Sequence, residues 1–368
     1  MLDFTTPPTQ AIAYLLSKKP YVLEDKATFK HHLSQKAFTI SGITNIDRLS
    51  AFQNSLALAM LKGQSFSEWK RANASLIESW EGVDAKRLKR IYAHNLKNAY
   101  AQGRKMEMMS RPALQHSGGE EDGWYIRFSC ILDSATRPSH RSLHGTILPR
   151  KHSFWKTHTP PLDWGCRCRI DIFSQDALEA KGWTPSSTPP ISSIDNPFAF
   201  GSPNEELAHI IHKKLEAHKH NKNATQALQA MQEELERREK CFTNIRRLWD
   251  SEEKESFELC KIQGKSWITG EKSLFISQDT IHRHKNKHKE IDAFDYSLIP
   301  YMLENIDSLY TDPKDERYLI LLSKKFDRFY RLAIKHIKEK NEVWVSSLLA
   351  SNSMESLKVF LKNKKKIL

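Results

Sequence analysis

Residues 317–349 read RYLILLSKKFDRFYRLAIKHIKEKNEVWVSSLL. Three apolar and aromatic runs, 317–323, 328–337 and 342–349, are separated by short polar turns. Runs of this length predict strands, and connections this short join antiparallel neighbours. In the central run, Tyr330, Leu332 and Ile334 fall on one side, and Phe329, Arg331, Ala333 and Lys335 on the other. The apolar side predicts packing against helices. Upstream text supplies them: a short strand at 273–277, a basic helix at 279–289 and a second helix at 295–304. A further helix and a lysine tail, Lys362 to Lys366, close the chain. The expectation for 262–368 is a small α+β domain with an antiparallel sheet.

Before this region the texture is helical. Leu49, Phe52, Leu56 and Met60 share a stripe within 46–61, and Phe66, Trp69, Leu76, Ile77 and Trp80 another within 66–80. Residues 84–109 form the longest periodic segment, with Asp84 as its cap and Leu88, Ile91, Tyr92, Leu96 and Tyr100 facing inward. A loop at Ser117-Gly118-Gly119 is followed by a strand at 124–132. Residues 184–204, dense in Ser, Pro and Asn, read as a linker, and 205–261 as a charged helical spacer. The expected organisation is an N-terminal arm (1–45), a mainly helical domain with a small β-containing module (46–183), the linker, the spacer and the C-terminal domain. The fold class is α+β.

Composition narrows the function. The chain has 368 residues, enough for two or three domains. Nine Trp, ten Tyr and seventeen Phe argue against wholesale disorder. No stretch approaches the ~20 apolar residues of a membrane span, so no membrane partner is expected, and the first residues carry no secretory signal. Five Cys at irregular spacing argue against a disulfide framework. The net charge of +13 favours polyanions or acidic protein faces. Residues 261–368 hold 21 Lys and Arg against 14 Asp and Glu, more than their share of that excess.

Two regions carry chemistry. The first runs Asp133-Ser-Ala-Thr-Arg137-Pro-Ser-His140-Arg-Ser-Leu-His144-Gly145, then Phe154-Trp155, Pro160-Pro161 and Trp164-Gly165-Cys166-Arg167-Cys168. In an extended segment Cys166 and Cys168 point the same way, and His140 and His144 share a face if helical. Two thiolates and two imidazoles make a tetrahedral zinc set, and zinc is the one cofactor these residues suggest. The alternative is a hydrogen-bonded knot, with Asp133 on Arg137 or Arg167 and His140 a satisfied interior histidine.

Asp133, Arg137, His140, Gly145, Trp155, Pro161, Trp164, Cys166, Arg167 and Cys168, with Arg90-Ile-Tyr-Ala-His-Asn95 and Ala99-Tyr100-Ala-Gln-Gly103-Arg104 upstream, resemble the phage Mu F-like minor head proteins, the head-morphogenesis family. The resemblance covers about 50–175. It implies a minor capsid protein of a phage or prophage, acting near the portal in procapsid assembly. Portal and capsid proteins would be its partners, with DNA contact in the head. It would reside in the virion, and in the host cytoplasm during assembly. No enzymatic activity is implied for this module.

The second region is C-terminal. His284 and His288 lie four apart, flanked by Lys285, Lys287 and Lys289. Metal-independent RNA cleavage needs a base for the ribose 2′-hydroxyl, an acid for the leaving oxygen and cations on the phosphate. A His, one or two Lys or Arg and a hydroxyl on a sheet face would supply these, and DNA would not be cut by this route. Lys287-His288, Asp295-Tyr296, Leu298-Ile299-Pro300-Tyr301-Met302-Leu303, Tyr330-Arg331 to Lys335, and Trp344-Val345-Ser346-Ser347 resemble the phage-encoded members of the barnase–EndoU–colicin–RelE-like nuclease superfamily. By that resemblance His288 is the acid/base. Arg331 and Lys335 bind and stabilise the phosphate, and Ser347 or Ser346 hydrogen-bonds the phosphate or orients His288. Lys285, Lys287 and Lys289 bind RNA, either tRNA or mRNA. A Lys at 289, where family members often carry Pro, departs from the pattern. Two readings follow. One is a head protein carrying a ribonuclease. The other is a purely structural virion protein whose basic C-terminal domain binds nucleic acid or capsid partners without turnover. A toxin that borrowed the head module is a third.

Overall fold

The computed structural model describes residues 8–23, 37–80, 83–114, 122–163, 165–192, 194, 196, 206–288, 290–326 and 328–368. The fold is α+β. In chain order it opens with α1 (Thr9–Ser17), β1 (Lys19–Pro20), β2 (Ala37–Phe38), α2 (Ile46–Lys62), α3 (Phe66–Ala72), α4 (Ala74–Glu78) and α5 (Ala85–Ser110). The middle holds β3 (Trp124–Ser129), α6 (Pro138–Arg141), β4 (Ile147–Pro149), α7 (Phe154–Thr157), β5 (Arg169–Ser174) and α8 (Gln175–Glu179). After α9 (Leu207–Ala217) and α10 (Lys222–Asp250) come β6 (Ser256–Ile262), β7 (Lys272–Ser277), α11 (Gln278–Lys287), α12 (Ala293–Ser297), α13 (Ile299–Glu304) and β8 (Ser308–Asp312). The chain ends with β9 (Asp315–Lys325), β10 (Arg328–Ile337), β11 (Glu342–Ser351), α14 (Met354–Lys358) and β12 (Lys365–Lys366). About half of the expected linker falls on residues outside those described, as do the Ser117-Gly118-Gly119 loop and much of the N-terminal arm.

The backbone divides into two compact units. One comprises Pro8–Ala57 and Ser75–Leu228. Here α1 lies against α5 where Gly103 has no side chain, and an added Cβ would meet the Ala11 backbone nitrogen at 2.7 Å. The predicted cap holds: the Asp84 carboxylate accepts from the Arg87 amide at 2.7 Å. Leu88, Tyr92, Leu96 and Tyr100 are buried, as their spacing requires. Beyond α5, a three-stranded antiparallel sheet in the order β4-β3-β5 pairs Ile126 with both Leu148 and Ile172. Ile126, Phe128, Leu143, Leu148, Trp155, Leu162 and Ile170 form its core. The strand predicted over 124–132 stops at Ser129. The Cys130 amide donates instead to the ring of His144, at 2.9 Å.

The other unit comprises Leu58–Ala74 and Gln229–Leu368. Its sheet has seven strands in the order β12-β8-β9-β10-β11-β7-β6, antiparallel throughout except for the parallel pair β11–β7. The three strands read from sequence are its centre. Three others were not foreseen. β6 lies where a helical spacer was expected, because helix α10 ends at Asp250. β8 is the second. β12 is built from the lysine tail, with Lys365 paired to Thr311, and Lys364 beside it reaches Asp312. The helix expected over 295–304 is two, α12 and α13, meeting at Leu298. Tyr330, Leu332 and Ile334 are buried, and the Tyr330 hydroxyl reaches Asp295 of α12. The opposite face is covered too. Ile320, Leu322, Ala333 and Leu349 pack with Leu357 and Leu361 of the C-terminal segment.

Candidate functional site

The Asp133–Cys168 region converges on one knot. Arg167 grips Asp133 with two guanidinium nitrogens, at 2.5 and 2.7 Å, and holds its carboxyl down at about 2. Arg137, the other candidate partner, reaches Asp163 at 3.5 Å instead. Gly145 sits at φ +85°, a left-handed conformation glycine adopts without strain, and its amide donates to the Phe128 carbonyl. Trp155 is buried. Its indole nitrogen donates to the Pro149 carbonyl, and its own carbonyl accepts from Lys105. Pro161 follows a cis bond in the same core, and Trp164 lies outside the described residues.

Inside the knot, His140 is 4% exposed, with Nδ1 at 3.7 Å from Cys166 Sγ and 3.9 Å from Cys168 Sγ. Among the described residues these three form a donor cluster whose ligand atoms all lie within 4.8 Å of one another. The alternation that turns Cys166 and Cys168 the same way is therefore realised. Hydrogen bonding with Cys168 holds the Cys166 thiol below the ordinary thiol range, and the same pairing pushes Cys168 above it.

The fourth member of the expected set is not there. α6 ends at Arg141, so His140 and His144 share no helical face. The His144 Nδ1 accepts from the Cys130 amide, and its Nε2 stands 3.5 Å from Arg127. Sequence spacing missed Cys130. Its sulfur lies 3.4 Å from Cys168 Sγ and donates to the His140 carbonyl at 3.1 Å. A cysteine immediately after a strand, 36 residues before the C-x-C pair, gives no local signal.

In the C-terminal unit the predicted catalytic set is divided by the sheet. Arg331 stands on the face covered by the C-terminal segment. Its guanidinium lies 5.6 Å from the Phe360 ring and 3.4 Å from Ser347 Oγ, and its Nε is buried with no hydrogen-bond partner. Lys335 projects on the same face, its ammonium 5.3 Å from the Tyr318 ring. Ser346 occupies the bulge where the β10–β11 register shifts.

His288 belongs to the helical layer on the Tyr330 side. It caps α11, its Nδ1 is 3.1 Å from Glu290, and its ring meets the His284 ring edge-on. His284 is buried and bonded to the Tyr296 hydroxyl. Asp295 accepts from Arg328 at 2.8 Å and from Tyr330 at 2.7 Å, and Arg328 also reaches the Glu290 carbonyl. Thus Arg331, Lys335 and Ser347 share a face, and His288 does not join them. Lys285 is engaged, donating to the Trp249 carbonyl at 2.9 Å, whereas Lys287 is exposed and Lys289 lies outside the described residues. Trp344 stacks on Phe275, which makes it packing rather than an open platform.

Residues 50–171 match the family model described as Phage Mu protein F like protein. The span agrees with the 50–175 expected from the motif residues.

Two curated relatives match the chain. "Putative capsid assembly protein F" of Escherichia phage Mu is 28% identical over 194 residues, 48% of this chain and 42% of the relative. The Mu-like prophage FluMu F protein of Haemophilus influenzae is 30% identical over 167 residues, 42% of this chain and 38% of the relative. The chain thus spans about two fifths of the length of each of these relatives. No solved structure matches it. Among the described residues no helix is long and apolar enough to cross a membrane.

Proposed function

We propose that this chain acts in head assembly of a Mu-like phage or prophage, as a minor component near the portal, with portal and capsid proteins as its partners. The observation that carries the reading is the family match over 50–171, the stretch in which Asp133, Arg167, His140, Cys166 and Cys168 converge. The test is deletion of the coding sequence from an inducible prophage, complemented by the wild type or by Asp133→Ala. The expected outcome is loss of filled heads, rescue by the wild type alone, and the chain present in low copy in purified virions. Normal head yield without it, and its absence from virions, would overturn the proposal.

The C-terminal unit is read as a nucleic-acid-binding domain without turnover. Its surplus of cations supports binding. The ribonuclease reading needs His288 and the Arg331–Ser347 pair around one phosphate; the partners that each has here, Glu290 for His288 and Phe360 beside Arg331, favour the reading without turnover. The full chain, incubated with total tRNA or single-stranded DNA in EDTA, should bind both and leave both intact. For three phosphate contacts, affinity should fall about 20-fold between 50 and 200 mM salt. Cleavage of RNA alone, abolished by His288→Ala, would restore the ribonuclease reading.

A further inference from the structure

The structure assigns a zinc site to Cys130, His140, Cys166 and Cys168. The four donors come from three parts of the fold: the residue after β3, the short helix α6, and the segment leading into β5. In a tetrahedral site with Zn–S of about 2.3 Å and Zn–N of about 2.0–2.1 Å, neighbouring ligand atoms stand about 3.5–3.8 Å apart. The separations here are 3.4 Å for Cys130–Cys168, 3.7 Å for His140–Cys166 and 3.9 Å for His140–Cys168. Thiols are weak hydrogen-bond donors, so two of them on one imidazole nitrogen with a third on its neighbour form a poor knot by hydrogen bonding alone. The same atoms form a good soft-ligand set for zinc.

His140, Cys166 and Cys168 form the cluster as it stands, and Cys130, whose sulfur adjoins Cys168 alone among them, completes the set by turning from the His140 carbonyl towards the other three donors. His144 then plays a different part. Its ring accepts from the Cys130 amide and holds that residue in place beyond the end of the strand. It is a positioning residue, not a ligand. Three thiolates and one imidazole around a divalent ion leave a net charge of −1. Arg141 acts electrostatically on Cys130 and offsets it, whereas the charge of Arg167 is met by Asp133. With four protein donors, two of them buried, no position is left for water, and the site is structural.

The experiment uses the full chain, expressed in zinc-supplemented medium and purified under reducing conditions without chelator. Metal content should be one zinc per chain. Competition with a chromophoric chelator should show at least a tenfold loss of affinity for Cys130→Ser, Cys166→Ser, Cys168→Ser and His140→Asn. His144→Ala should retain one equivalent. Cobalt reconstitution gives a readout independent of folding yield, because tetrahedral thiolate ligation produces visible and charge-transfer bands that each Cys→Ser change should weaken. Three results would overturn the assignment: no stoichiometric zinc, wild-type affinity in Cys130→Ser, or a Cys130–Cys168 disulfide in the reduced preparation.

Discussion

Asp295 and His284 sit in the same buried layer and are perturbed in opposite directions. Burial pushes Asp295 up to about 6 against the pull of Arg328. Burial, then the charge of His288, holds His284 down at about 4. Between about 4 and 6 the folded chain keeps a proton on Asp295 that the unfolded chain has released, so this group favours folding as pH falls. Between 6.5 and about 4 the unfolded chain protonates His284 and the folded chain does not, so this group favours unfolding as pH falls. The two contributions oppose each other. Asp295→Asn should steepen the loss of stability between pH 6.5 and 4, and His284→Gln should flatten or reverse it. Thermal melts at several pH values across that window check both; parallel profiles for all three proteins would refute the assignment. The sequence named Asp295 and His284 only as members of motifs, because nothing in a spacing reports burial. Cys130 was missed for a related reason: its partners are fixed by strand pairing, not by local periodicity.

At the scale of elements, the helical phases were legible because each apolar stripe had to find a core. The central strands were legible because they alternate and are long. The short edge strands were not: β6 and β12 are charged enough to read as spacer and tail, and they are strands because neighbouring strands offer them hydrogen-bonding edges. Gly103 illustrates a second limit. Within a helix it reads as a weak point, yet it is where α1 meets α5. Gly103→Ala should destabilise the unit by about 1–3 kcal/mol, because the new methyl meets backbone that cannot swing away. Lys97→Ala, on the exposed face of the same helix, should stay within about 0.5 kcal/mol. Urea titration compares the two; equal effects would mean that α1 is loosely held.

At the scale of the whole chain, sequence order and spatial order part company. The sequence assigned residues 46–80 to the region of the Mu F match, but Leu58–Ala74 is part of the unit that holds the seven-stranded sheet. Glu68 of α3 meets Lys325 at the end of β9, at 2.6 Å, with both side chains buried. Phe326 next to it donates its amide to the Gly63 carbonyl and lays its ring where a Gly63 side chain would be. Lys325→Met alone should cost about 3–5 kcal/mol by leaving a buried carboxylate unpaired, and Glu68→Leu added to it should recover most of that. Chemical denaturation of the single and double variants measures both. A double variant no better than the single would mean that the pair acts through packing rather than charge.

The Glu68–Lys325 contact also has a consequence for how the protein is made. The two residues are 257 positions apart. At synthesis rates of about 5–20 residues per second, α3 leaves the ribosome roughly 13–50 s before its partner strand exists. For that interval Glu68 lacks the cation that it meets in the folded chain. The nascent chain therefore passes through a stage in which Pro8–Ala57 and Ser75–Leu228 have been synthesised while the segment between them waits.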